Sequence, residues 1–290
     1  MKIIVTGASG QVGSELRELY QDKEEYQFTF LTRSQLDITD PLAIKRIFDN
    51  VKPDACINCA AYTAVDKAET EVTSSYAINV TGPQLLASAC AAHDAVFLHY
   101  SSDYVYHSDA TEALKESDTT RPKGIYAKHK LEGERAAMLA SDQCIIIRTS
   151  WVYSYYGHNF VKTMLKLGKD RDELSIVADQ IGTPTYAKDI ASISMDIIKY
   201  LKDNPSITFD YGIYNFSNAG HTNWAEFATT IFEMEDIQCK VNTTTTEAYG
   251  APAPRPLWSV LSNDKIRKTF GIEAIHWKES LKDCLNRLNS

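Results

Sequence analysis

Residues 2–16 read KIIVTGASGQVGSEL: an apolar, β-branched run to Thr6, three glycines at Gly7, Gly10 and Gly13, and the start of a helical pattern over 11–21. A strand feeding a glycine turn that opens a helix is a phosphate-binding device. Gly7 allows the tight turn, Gly10 lets the backbone approach a pyrophosphate, and Gly13 permits close packing of helix on strand. The unpaired N–H groups at the helix start, around Gln11 and Val12, face the anion. The spacing is GxxGxxG, not GxGxxG. The chain has 13 glycines in 290 residues, below an average usage of about 7%, so three within the first thirteen positions mark a site.

Outward from this turn, short apolar runs alternate with helical patterns. Strand-like runs fall at 27–31, 55–58, 95–100 and 144–148; helical patterns fall at 41–50, 72–92 and 126–139. Nearly continuous apolar strands separated by helices predict a parallel sheet covered on both faces, a doubly wound Rossmann-type α/β fold over 1–150. After Arg148 the rhythm loosens around DQIGTPTYAKD (179–189) and TTTTEAYGAPAPRPLWS (243–259). Long loops of this kind inside a compact chain are commonly functional. They predict a smaller substrate-binding lobe from 151–186 and 218–290, with a helix and strand within 187–217 completing the first lobe.

Lys plus Arg number 30 against 38 Asp plus Glu, a net charge of −8, so no global cationic field draws nucleic acid or anionic lipid. With 44% apolar and 23% charged residues, the composition is that of an ordinary globular chain. No run nears the ~18 apolar residues of a membrane span, and the first apolar run is too short for a signal peptide, so the cytoplasm is expected. Cys56 and Cys59 form a CxxC at the end of a strand with no second pair, which predicts buried strand cysteines. None of the seven histidines has metal-ligand spacing, and His129 reads as an exposed helix residue. No catalytic metal is expected.

The end of the second strand, where an acidic residue would bond a ribose 2′-hydroxyl, reads Leu31, Thr32, Arg33, Ser34. A guanidinium flanked by hydroxyls suits a 2′-phosphate, so NADPH is expected over NADH, with NADH the weaker alternative. Further on, YAKHK places Tyr126 and Lys130 four apart on one helix face. An ammonium near a phenol favours phenolate and brings its proton transfer toward the working range. Ser102, 24 residues upstream, lies at the carboxyl end of a strand, where doubly wound sheets place ligands.

With these residues in order, the chain resembles the extended short-chain dehydrogenase/reductases and, within them, the dTDP-4-dehydrorhamnose reductase family. The likeness is carried by TGASGQVGSEL (6–16), LDITD (36–40), NCAAYTAVDKAE (58–69), SSDYVY (101–106), RTSWVY (148–153), NFVKTML (159–165), ADQIGTPT (178–185) and PRPLWSVL (254–261). The resemblance implies a reduction of a sugar C4 ketone in the supply of cell-surface polysaccharide precursors. It implies that Tyr126 donates the proton, Lys130 holds the nicotinamide ribose and Ser102 bonds the developing alkoxide. Asp103 and Tyr104 would touch the sugar, Trp151 would pack on it, and Arg255 would meet the nucleotide diphosphate. Asp37 and Ile38 would border the adenine, with Ala61, Tyr62 and Thr63 along the rest of the cofactor. Asp179 and Gln180 are expected to organise their loop.

The chain departs from the family pattern at Ala127, Ser108 and Ala253, where Gly, Gly and Ser are usual. Some members dimerise through magnesium-bound glutamates; Glu15 is present, but Lys188 falls near a second such position and would repel a cation. A monomer or homodimer without that metal link is the expectation. Two rivals share the fold: a cofactor-binding regulatory subunit of a methionine adenosyltransferase-like partner, and a nucleotide-sugar epimerase or dehydratase that recycles its cofactor.

Overall fold

The structure, a computed structural model, describes residues 1–107, 110–204 and 209–290, so Ser108 lies outside the described residues. The chain begins with β1 (Lys2–Thr6), α1 (Gln11–Tyr20), β2 (Gln27–Leu31), α2 (Pro41–Val51) and β3 (Ala55–Asn58). Short helices α3 (Val65–Ala68) and α4 (Val72–Tyr76) lead through a π-helical turn at Ala77–Thr81 into α5 (Gly82–Ala92), β4 (Val96–Ser102), α6 (Ile125–Ala140) and β5 (Cys144–Thr149). There follow β6 (Val152–Tyr153), α7 (Phe160–Asp170), β7 (Glu173–Val177), β8 (Ile181–Gly182), β9 (Thr185–Tyr186) and α8 (Ala187–Asp203). The chain ends with β10 (Gly212–Asn215), β11 (Thr222–Asn223), α9 (Trp224–Met234), β12 (Lys240–Thr244), α10 (Thr246–Tyr249), α11 (Asp264–Phe270) and α12 (Trp277–Leu288).

Six strands form one sheet in the order β10-β5-β4-β3-β1-β2, every pairing parallel. Each strand of β3 and β5 is buried throughout, as a sheet covered on both faces demands. Alternation within β1 sends Ile3 and Val5 to one core with Leu16, Ile145 and Ile197, and Ile4 to the other with Phe48, Leu86 and Phe97. Since β2 lies on one side of β1 and β3 on the other, the sheet reverses direction at β1. The crevice outside the carboxyl ends of β1 and β3 is where such a sheet takes a ligand.

A separate cluster of Tyr153, Met164, Phe227, Ile231, Trp277 and Leu281 joins β6, α7, α9 and α12. Ile266 of α11 and Ile272 pack instead with α8 in the sheet core, although they belong to the stretch 218–290. Glu15 of α1 is fully buried and joins the two regions: it accepts from Ser154 Oγ at 2.6 Å and Arg287 Nη1 at 2.9 Å. Lys188 pairs with Asp283 at 2.7 Å. The cation that meets Glu15 is therefore a guanidinium of the chain itself.

Three local expectations are corrected. The helix expected over 72–92 is broken at Ala77–Thr81, where Asn79 accepts from Tyr62 N (2.9 Å) and donates to Tyr62 O (3.0 Å). The π turn also pushes the Asn79 carbonyl against α6, where a Cβ on Gly133 would stand only 1.9 Å from it. His129 is buried, not exposed, because α6 packs on α4 and its Nδ1 lies 3.0 Å from Ser75 Oγ. Cys59 is only partly buried, whereas Cys56 is fully buried; both are free thiols. No helix among the described residues is long and apolar enough to cross a membrane.

Candidate active site

At the first crevice, Gly7 adopts φ +63°, and a Cβ there would stand 2.5 Å from Ala60 N, so only glycine lets the turn press against the loop after β3. Gly13 has a packing role, since its Cβ would meet Gly7 O at 2.7 Å. The N-terminus of α1 has no side-chain cap and no acidic residue in its first turn, which leaves its N–H groups and partial positive charge for an anion. A cavity of about 350 Å³ opens there, lined among others by Gly7, Gly10, Arg33, Asp37, Ile38 and Ala61.

Arg33 is exposed at the rim, and Asp37 is held below the usual carboxylate range by Thr39, whose N and Oγ1 donate to it at 2.9 and 2.7 Å, with Arg33 adding a smaller effect. An uncapped helix start with a guanidinium beyond β2 fits a phosphorylated dinucleotide. The other sequence candidates do not line this cavity. Gln11 turns toward the second region, accepting from Asn159 Nδ2 at 3.0 Å, and Val12 packs into the sheet core. Tyr62 gives its hydroxyl to Glu71 at 2.8 Å, and Thr63 is exposed nearby.

The second group assembles where α6 meets the end of β4. Gly124 (φ +79°) turns the chain into α6, and Ile125 N donates to Glu69 Oε1 at 2.8 Å, so a side chain from the α3–α4 segment satisfies the helix start. Tyr126, Lys130 and Glu134 then recur every four residues along one face. The Tyr126 phenol is pushed up to about 12, chiefly by burial and also by Asp103, while the nearby Ser102 hydroxyl pulls the other way. The ammonium of Lys130, expected to bring it down, has no resolved effect on it here; Nζ donates to Tyr100 O at 2.6 Å. Burial lowers Lys130 itself to about 8, opposed by Glu134.

Ser102 Oγ donates to Asp103 Oδ1 at 2.9 Å and accepts from Tyr104 N at 3.2 Å. Asp103 is raised to about 6 by burial, and its Oδ2 has no partner among the described residues. Beneath this group Glu134 accepts both Nε (2.9 Å) and Nη2 (2.6 Å) of Arg148 and the hydroxyl of Ser101. Arg148 also lies over the ring of Tyr106 at 4.8 Å. Glu134 lies in no quoted motif and Arg148 opens RTSWVY without an expected role; their one sign in the sequence is an arginine near the end of an otherwise apolar strand.

Tyr104 meets Tyr126 edge-on at 5.7 Å and forms part of the wall of a larger cavity of about 880 Å³. Arg255 lies in the same wall, and its Nη2 donates to both carboxylate oxygens of Asp66, at 2.9 and 2.8 Å. Asp66 also accepts Ala253 N at 3.1 Å, so one carboxylate pins the late loop. Trp151 is not in this wall. It takes φ +46° and stacks on Trp224 at 3.6 Å, with its other edge over Gly182, where a Cβ would stand 2.6 Å from the indole. Trp224 and Arg171 line the cavity without falling in any quoted motif, whereas Phe160 lies in NFVKTML and Tyr249 in the 243–259 stretch, neither with an expected role. Asp179 accepts Thr246 N and Oγ1, and Gln180 bridges Thr246 and Trp224 Nε1, which organises the loop as expected and also places Gln180 in the wall.

The RmlD substrate binding domain family matches residues 1–290, the whole chain. The chain belongs to the dTDP-4-dehydrorhamnose reductase family. A dTDP-4-dehydrorhamnose reductase of Aggregatibacter actinomycetemcomitans is 43% identical over 289 residues, 97% of each chain. The crystal structure of a dTDP-4-dehydrorhamnose reductase from Clostridium acetobutylicum superposes with a TM-score of 0.94 at 40% identity over the full length of both chains. That of the Bacillus anthracis enzyme in complex with NADP gives 0.93 at 37% identity, covering 99% of each. Of the departures from the family pattern, Ala127 is a buried neighbour of Tyr126, and Ala253, which lacks the hydroxyl of the usual Ser, holds the pinned loop through its main-chain N–H.

Proposed function

We propose that this protein reduces the C4 ketone of dTDP-4-dehydro-6-deoxy-L-mannose (dTDP-4-dehydro-L-rhamnose) to dTDP-L-rhamnose with NADPH. The observation that carries this is the meeting of Ser102 and Tyr126 at the end of β4, with Lys130 one turn further along the same face of α6. NADPH, held by the glycine turn with Arg33 toward its 2′-phosphate, supplies the hydride. Tyr126 keeps its proton to about 12, so at neutral pH it is a loaded acid that gives the proton only as negative charge develops on the ketone oxygen. Ser102 donates a hydrogen bond to that oxygen. Lys130 holds the nicotinamide ribose and restores the proton of Tyr126.

Asp103 and Tyr104 orient the sugar, and Arg255, its charge shared with Asp66, faces the diphosphate. Trp151 supports the sugar pocket from behind Trp224. The dinucleotide lobe takes in 1–150 with α8, β10 and α11, and the remainder of 151–186 and 218–290 forms the substrate lobe. The protein works in the cytoplasm as a monomer or homodimer, and the internal pairing of Glu15 with Arg287 supports an assembly independent of magnesium.

A coupled assay with enzymatically generated dTDP-4-dehydro-L-rhamnose and each nicotinamide cofactor tests substrate, reaction and cofactor together. Stoichiometric loss of the NADPH absorbance band is expected. No net loss would point to an epimerase or dehydratase, and no turnover with tight capture of a synthetase to a regulatory subunit.

A further inference from the structure

Behind Lys130 runs a chain of buried polar groups that the reaction as described does not use. Thr6 Oγ1 and Ala60 N both donate to Asn58 Oδ1, at 2.7 and 3.1 Å, and a main-chain N–H can only donate, which fixes the orientation of the Asn58 amide. Its Nδ2 therefore donates to Nδ1 of His99, 3.0 Å away. A neutral ring that accepts at Nδ1 carries its proton on Nε2, whereas an imidazolium would set two donors against each other at Nδ1. Nε2 lies 3.5 Å from Lys130 Nζ, which donates to Tyr100 O at 2.6 Å.

We propose that His99 is a positioning residue that acts through Lys130: fixed by Asn58 as the Nε2–H tautomer, it seats Nζ and weakens that nitrogen's hold on its third proton. The proposal deepens the reductase assignment and rests on it. The N–H end of the imidazole dipole faces Nζ, which disfavours an ammonium there, while the lone pair of an amine accepts that N–H. After Tyr126 has given its proton to the new alkoxide, Lys130 gives one to the Tyr126 oxygen and becomes the amine; solvent then returns a proton to Lys130. His99 favours the amine formed in the middle of this sequence and transfers no proton itself.

Among titratable groups, Glu134 on α6 acts on Lys130, Tyr100 on β4 receives the Lys130 hydrogen bond at its carbonyl, and Cys59 after β3 acts on the Tyr100 phenol. Glu69, between α3 and α4, is occupied by Ile125 N. Glu134, tied to Arg148, favours the ammonium of Lys130, and burial favours the amine. Burial and the Lys130 charge together outweigh an opposing effect of the Asn58 main chain and hold His99 well below the ordinary imidazole value, so the ring stays neutral.

The NMR test uses the full chain without cofactor or sugar, so it stands apart from the substrate assignment; only the kcat profile of His99→Leu depends on that assignment. Nitrogen NMR of the His99 ring is expected to show the Nε2–H tautomer with no titration between about pH 5 and 9, while the Cε resonance of Lys130 titrates near 8. His99→Gln keeps an acceptor for Asn58 and an N–H for Lys130, and its lysine midpoint is expected within about half a unit of the parent. His99→Leu removes the dipole and is expected to raise the midpoint by about a unit, with the pH dependence of kcat moving equally. An Nδ1–H ring, a ring that protonates in this range, or a lysine midpoint unchanged or lowered in His99→Leu would overturn the proposal, since burial alone would then govern Lys130.

Discussion

The crevice at the glycine turn and the cavity beside Tyr104 are built in different ways. The crevice comes from three strand ends: Gly7 and Gly10 after β1, Arg33, Asp37 and Ile38 after β2, and Ala61 after β3. Much of its shape is backbone, and a single added carbon at Gly7 would collide at 2.5 Å. The cavity beside Tyr104 is walled by side chains from distant segments: Phe160 on α7, Ser175 on β7, Gln180, Trp224 on α9, Tyr249 on α10 and Arg255. A backbone-built crevice tolerates little change and fixes the reaction class. A side-chain wall can be altered one residue at a time, which is how a shared fold comes to serve different sugar nucleotides.

The largest expected effect lies where the cofactor and sugar would meet. Tyr126→Phe should lower kcat by roughly 10²–10⁴ and leave NADPH affinity, followed by fluorescence quenching, within about twofold. Equal loss of NADPH affinity would break the division, because the phenol would then belong to the cofactor site. Next in size is the floor beneath both. Glu134→Ala leaves the Arg148 guanidinium buried and unpaired, a loss expected at about 3–5 kcal/mol in urea unfolding. Arg287→Ala, the comparable cut at Glu15, also leaves a fully buried charge, with Ser154 Oγ still donating to it, so a loss of similar size is expected.

Asp103 sharpens the comparison through pH. Its carboxyl is raised from 3.8 to about 6 by burial, so the folded state binds the proton more tightly than the unfolded chain. The associated stabilisation is complete below about pH 4 and is lost as pH rises through about 6. Asp103→Asn removes that loss: it should unfold at higher temperature than the parent at pH 7.5, by an upper bound of about 3 kcal/mol, with the difference closing below about pH 4. Its KM for the sugar nucleotide should rise. A variant that gains stability while keeping KM would remove Asp103 from the substrate side.

The unequal construction also explains what could be read before the fold was known. The strands, the glycine turn and the Tyr126–Lys130 face are local patterns of period two or four, and each sits where its spacing indicates. The π turn at Ala77–Thr81 was not legible, because it answers to Gly133 on a helix some fifty residues away, and His129 is buried by the same packing. Trp224 and Arg171 carry no motif; their place in the cavity arises only when α9 and the end of α7 pack together. Trp151 did stand out, but its ring is covered by Trp224, a partner 73 residues further along that no spacing rule connects to it.

The smallest effect tests the rim of the crevice, where a side chain rather than backbone contributes. Arg33 is exposed beyond β2, beside Thr32 and Ser34, whose hydroxyls lie 3.0 Å apart. A guanidinium on a 2′-phosphate makes a charge-assisted hydrogen bond, but water at this rim screens it toward the weak end of the range. Arg33→Ala should therefore lower kcat/KM for NADPH about tenfold, equivalent to about 1.4 kcal/mol, and leave NADH nearly unchanged because NADH has no phosphate to lose. KM for the sugar nucleotide should not move. Raising the salt concentration should shrink the NADPH advantage of the parent and leave the ratio of Arg33→Ala flat, since only the parent depends on an exposed charge. If both cofactors lose equally, Arg33 shapes the loop after β2 through Asp37, and the preference for NADPH has to come from the backbone of the crevice.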